Sequence, residues 1–95
     1  MICDDRGLQI RGEMLRTRVM VAYALCSIAE SELHARQITM ALRTVDAINR
    51  IIQEVVLSVD HPGHLSPNTA QTLDDLRSEL DHRARNIAMA IQLLR

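Results

Sequence analysis

Apolar residues recur at alternating spacings of three and four along most of the chain, the repeat of one face of an α-helix. Each of three such series predicts one amphipathic helix. The first series contains Leu8, Leu15, Val19, Ala22, Cys26, Ala29 and Leu33. The second contains Ile38, Ala41, Val45, Ile48, Ile52, Val55 and Val59. The third contains Leu73, Leu76, Leu80, Ala84, Ile87, Ile91 and Leu94. We therefore expect a single all-α domain, an antiparallel helical bundle with helices over about residues 8–33, 36–59 and 67–94.

The boundary between the first two helices has two interpretations. No Gly or Pro lies between Gly12 and Pro62. The first two series are out of phase, so the helix face that is apolar before residue 33 would be cationic after residue 36 if the helix continued. In one interpretation the chain turns within residues 31–38 and the bundle has three helices. In the other, the bundle is a hairpin with one very long first helix of nearly 70 Å, at 1.5 Å per residue. The turn is favoured because a compact hairpin buries more surface per residue in a monomer.

The segment DHPGHLSPNT, residues 60–69, is typical of a connection between helices. Gly63 is a helix stop signal, Ser66 can cap the next helix, and Pro67 suits its first position. His61 and His64 could together bind a metal ion, but no Cys or further carboxylate lies at the local spacing that zinc sites use. A turn over residues 60–66 is the better interpretation.

The composition narrows the possible functions. Apolar residues make up 47% of the chain, but the only aromatic residue is Tyr23, so there is no series of aromatic side chains on which bases could stack. The net charge is −1, which provides no overall attraction to nucleic acid or to acidic membranes.

The cysteines and the N-terminal segment favour the cytoplasm. Cys3 and Cys26 are far apart, and Cys26 lies in an apolar run, so we expect a buried free thiol rather than a disulfide. The acidic start MICDDRGLQ does not resemble a secretory signal. The longest apolar run, residues 19–26, is too short for a membrane span, which takes about 20 residues.

Two chemical sites remain as alternatives. Glu79 and His82 have the Glu-x-x-His spacing of di-iron bundles, and Glu30 and Glu32 could supply further carboxylates in a ferritin-like oligomer. Against this, His82 lies on the side of its helix opposite to the apolar series.

A small RNA-binding hairpin is the other alternative. It would use a stripe of three arginines, Arg36, Arg43 and Arg50, but three cations in a neutral chain are few for nucleic-acid binding. No nucleophile elbow and no phosphate-binding loop are present, so we expect neither an enzyme nor a cofactor.

More apolar residues are present than a three-helix monomer can bury, which favours a partner surface. Residues 19–26 are apolar all round the predicted helix, and several methionines could form an adaptable groove. We expect this surface to bind an amphipathic helix of a partner protein and to support a homodimer. The candidate partner-binding residues are Met20, Tyr23, Met40, Ile51 and Met89.

Three segments resemble the flagellin export chaperones. These are AINRIIQEVVLSVD at 47–60, QTLDDL at 71–76, and the helix start at Glu13, Met14 and Leu15. Together the resemblance covers residues 13–90. It implies an antiparallel helical bundle that keeps an aggregation-prone helical client soluble before export. The chain departs from the family in lacking its N-terminal segment and in carrying Arg77 where the family has Tyr.

Overall fold

The computed structural model describes residues 2–61, 63 and 65–94, without the side chains of residues 2–6 and 8. These residues form three helices and no strand: α1 (Ile2–His34), α2 (Ile38–Asp60) and α3 (Pro67–Leu94). Each helix packs against both of the others, which confirms the all-α bundle. Because α1 ends at His34, the alternative with one very long first helix is not formed.

The first turn is made without glycine or proline. Arg36 has φ 62°, in the left-handed region. The Gln37 N–H donates to the Glu32 carbonyl oxygen at 2.8 Å, and the Arg36 N–H donates to that of Leu33 at 3.0 Å. These two bonds form a Schellman motif, which satisfies the last carbonyl groups of α1. A non-glycine residue in this conformation costs roughly 1–2 kcal/mol, so glycine usually occupies this position. Because Arg36 stands there instead, the usual sequence signal for the turn is missing.

The second connection follows the sequence signals more closely. Gly63 has φ 81°. The Ser66 hydroxyl accepts a hydrogen bond from the Thr69 N–H at 3.4 Å, and Pro67 is the first residue of α3, so the predicted cap is confirmed. Leu65 is 9% exposed and packs in the core. Of the proposed histidine pair, His61 is exposed, while Pro62 and His64 lie outside the described residues.

The core consists of two apolar clusters, one towards each end of the bundle. The first cluster adjoins the turn at 35–37 and draws on all three helices, and Ile48, Leu80 and Ile91 are fully buried in it. The second adjoins the connection at 61–66 and includes Leu15, Val19, Val55, Leu65 and Leu73. The predicted apolar series supply nearly all of these residues.

Helix α1 is longer than predicted and longer than the helices it packs on. It begins at Ile2 rather than near residue 8, and Gly7 and Gly12 both lie within it. Its 33 residues span about 50 Å, compared with about 35 Å for the 23 residues of α2. Gly12 allows close contact, because a Cβ atom there would lie 2.8 Å from Cγ2 of Thr69, in the first turn of α3.

A candidate helix-docking face on α1

Two of the predicted partner-binding residues belong to the core, so the sequence-based assignment needs correction. Ile51 is only 6% exposed and packs in the first cluster, so its side chain offers no surface to a partner. Tyr23 is half-buried and packs against both clusters. Its hydroxyl group lies 3.3 Å from the Leu76 carbonyl oxygen and 3.0 Å from Oε2 of Glu79, and it serves to hold α1 against α3.

Met20, Met40 and Met89 are exposed, at 63%, 51% and 63%, but the three do not form one groove. Met40 lies in the first turn of α2, near the turn at 35–37. Met20 precedes His34 by fourteen residues on α1, which places it about 21 Å from that end of the bundle. Met89 lies near the end of α3 with its side chain away from the buried side of the helix, which includes Ile87 and Ile91.

A continuous apolar surface exists instead along one side of α1. Six exposed residues follow the three-and-four spacing, and we call them the α1 stripe: Ile10, Met14, Thr17, Val21, Ala24 and Ile28. The four large members are between 49% and 62% exposed. At 1.5 Å per residue the α1 stripe is about 27 Å long. It lies roughly opposite the buried residues of α1, so this helix is apolar on two sides.

The C-terminal part of the α1 stripe has no charged neighbours in the sequence, whereas exposed Arg16 and Arg18 lie beside its N-terminal part. From Val19 to Ala29 the chain contains no charged residue. Arg11 and Glu13 flank the N-terminal end, and Glu32 and His34 flank the C-terminal end. A helix that is apolar around its whole circumference is normally covered on all sides, whereas this part of α1 has neighbours on the core side only.

The sequence reasoning missed the α1 stripe although its signal is present. The partner-binding residues predicted on this helix are Met20 and Tyr23, and neither belongs to the α1 stripe. A second three-and-four series beside the core series identifies the exposed face directly. Met20 lies at its edge rather than within it.

Ion pairs connect α1 to each of the other two helices. Arg18 Nη2 donates to Oε1 of Glu54 on α2 at 2.9 Å. On the other side, Arg83 Nε of α3 donates to Oε1 of Glu30 at 3.0 Å. Each pair is nearly half exposed, so each contributes no more than about 1 kcal/mol to stability. Both pairs leave the α1 stripe uncovered.

The proposed metal ligands do not come together. Glu30 binds Arg83 of α3, whereas Glu32 accepts a hydrogen bond from Thr44 of α2, so these two carboxylates point to different neighbours. Glu79 is paired with Tyr23, and His82 is exposed. Among the residues that the structure describes, no group of three or more His, Cys, Asp or Glu side chains could hold a metal ion.

The predicted arginine stripe is also interrupted. Arg36 lies in the turn rather than on a helix, and only Arg43 and Arg50 share a face of α2. Arg50 borders a cleft between α2 and α3 whose charged lining residues are of both signs: Arg50, Arg77, Arg85, Asp46 and Asp81.

Two buried or partly buried groups have raised pKa values. Burial, followed by the hydrogen bond to Glu79 and the charge of that carboxylate, raises the pKa of Tyr23 to about 12. Burial also raises the pKa of the Cys26 thiol, which is free and fully buried. Both side chains therefore keep their protons at neutral pH and act as packing groups.

Comparisons with family models, with curated proteins and with solved structures found no match to the chain. Within the described part of the chain, no helix has the length and apolar character needed to cross a membrane.

Proposed function

We propose that the protein is a small, non-catalytic interaction module that binds an amphipathic helix of a partner protein along the α1 stripe. The observation that carries this proposal is the charge-free segment of α1, whose outer side exposes Val21, Ala24 and Ile28 in helical register. A partner helix with its own three-and-four apolar series would pack along it, as in other helix-in-groove complexes.

The exposed area is consistent with reversible binding. Full burial of a large aliphatic side chain or a methionine stabilises by about 1.5–3 kcal/mol, and the four large members of the α1 stripe are each about half exposed. Their burial would contribute roughly 3–6 kcal/mol. Association costs about 4–15 kcal/mol in lost freedom of motion, so contacts at the edges of the stripe must add to this. Weak, exchangeable binding of this kind is what a chaperone or regulator of a helical client requires.

An export-chaperone role in the cytoplasm is the specific form of this proposal. Its support is the resemblance over residues 13–90, together with a helical bundle that leaves a long apolar face uncovered. A client helix would be shielded on this face until it is handed on.

The experiment uses a fluorescently labelled three-heptad peptide with leucine at the a and d positions, titrated with the protein and followed by anisotropy. Val21→Glu and Ile28→Glu each place a charge within the α1 stripe, and we expect each to weaken binding at least tenfold. The matched control is Leu57→Glu, since Leu57 is 70% exposed but lies on α2. Circular dichroism checks that all variants are folded. Equal binding by the stripe variants and the control, or no binding by the wild-type protein, would contradict the proposal.

A further inference from the structure

We propose that the turn between α1 and α2 is a hinge through which two copies exchange their α1 helices. In the exchanged dimer, α1, residues 35–37 and α2 of each chain form one continuous helix. The α1 of each copy packs on α2 and α3 of the other, in the place that the other copy's own α1 occupies in the monomer. Because α1 keeps the same neighbours, the α1 stripe stays uncovered in both forms, and this inference does not depend on the proposed function.

The turn holds backbone strain that a continuous helix releases. Arg36 has φ 62°, and this conformation is disfavoured for a residue with a side chain by a factor of about 5 to 30. Opening the turn loses no backbone hydrogen bond there. The N–H groups of Arg36 and Gln37 now donate to the carbonyl oxygens of Leu33 and Glu32, and in a continuous helix each would donate to the carbonyl four residues back. Short, strained hinges of this kind favour exchange between copies.

The sequence across the turn is also suited to a helix. No Gly or Pro lies between Gly12 and Pro62, and the turn residues Ala35, Arg36 and Gln37 are all good helix formers. The phase difference between the first two apolar series does not oppose a continuous helix. At 100° per residue, the buried residues of α1 and of α2 centre on directions about 70° apart, which is less than the rotation of one residue. Each half of the long helix can therefore face its own lobe of the dimer.

The monomer should dominate in dilute solution. Exchange adds no new core contact, since the same residues pack together in both forms, whereas joining two chains costs freedom of motion. The dimer is therefore expected where chains fold at high concentration. Since α1 packs against both other helices, it must leave both before it can exchange. A dimer, once formed, should separate after dilution only as slowly as the bundle unfolds.

The first test refolds the protein from urea at concentrations from micromolar to millimolar and measures mass by light scattering on a sizing column. We expect a monomer of 10.7 kDa and, at high concentration, a second species of twice that mass. Arg36→Gly relieves the strain of the turn and weakens the continuous helix, so it should lower the dimer association constant at least tenfold.

The matched control is Arg43→Gly, which removes the same side chain at a position that lies within α2 in both forms. It should leave the proportion of dimer as in the wild-type protein, although it weakens the helix. A monomer at every concentration, or a dimer that is as abundant with Arg36→Gly as with Arg43→Gly, would overturn the inference.

The second test separates exchange from simple contact between intact copies. A Cβ atom at residue 12 would lie 3.9 Å from Cβ of Thr69, within the separation of about 3.5–4.5 Å that a disulfide requires. Gly12→Cys and Thr69→Cys together, in a Cys3→Ser background, should therefore link α1 to α3 on oxidation. In the monomer fraction the link closes within one chain. In the exchanged dimer it joins two chains and gives a band at twice the mass on a non-reducing denaturing gel. A dimer fraction that gives only the single-chain band would show two intact copies in contact, and exchange would be wrong.

Discussion

Replacing Gly12 by alanine should destabilise the fold, although alanine is the better helix former. Gly12 lies inside α1, where a Gly-to-Ala change normally gains about 1 kcal/mol. Here the new Cβ atom would lie 2.8 Å from Cγ2 of Thr69. Thr69 has little room to move, because its Oγ1 lies 2.8 Å from Oγ of Ser66 and its N–H donates to the same cap.

The magnitude follows from these two opposing effects. Overpacking of a well-packed contact costs about 1–3 kcal/mol, so the net change at Gly12 is a loss of roughly 0–2 kcal/mol after the helix gain is subtracted. Gly7 is the matched control, since it lies in the same helix and a Cβ atom there would have nothing within 4 Å. Gly7→Ala should therefore be stabilising, by up to about 1 kcal/mol.

Urea denaturation followed by circular dichroism measures both variants, and a double-mutant cycle isolates the contact. Thr69→Ser removes the crowded methyl group but keeps the hydroxyl that meets the Ser66 cap. In that background Gly12→Ala should become stabilising, with a coupling energy of about 1–3 kcal/mol. If Gly12→Ala and Gly7→Ala stabilise equally, α1 and the start of α3 do not approach as closely as described.

Three further changes test the core, the tyrosine and the first turn. Leu80→Ala, at a fully buried position, should cost about 2–5 kcal/mol of unfolding free energy, whereas Leu93→Ala, at a position 84% exposed, should change it by less than about 0.5 kcal/mol in thermal melts. Because the folded protein raises the pKa of Tyr23 from 10 to about 12, the associated stabilisation is present below pH 10 and is lost as the pH rises towards 12. Ultraviolet titration of this single aromatic residue should show the shift in pKa, and Tyr23→Phe should remove this part of the pH dependence of stability. Arg36→Gly should stabilise by about 0.5–1 kcal/mol because it relieves the left-handed conformation, while Arg43→Gly, inside α2, should cost about 1 kcal/mol in the same denaturation assay.

The fold was predictable because each helix carries its own apolar series. Most of the described positions in the three series are buried, and Leu94, the last residue of α3, is the clearest exception at 41% exposed. The first turn was harder to place, since Arg36 adopts a conformation that usually marks glycine. Its backbone hydrogen bonds, rather than its side chain, define the turn, and such bonds leave no trace in the sequence.

The candidate site was less predictable, for reasons that differ between residues. Ile51 lies off the main apolar series, but α2 packs against both neighbours and buries a wide sector that includes Ile51 and Ile52 together. Met20, Met40 and Met89 share a residue type, which carries no information on the distances between them. Only the alignment of the helices shows that they lie on different parts of the surface.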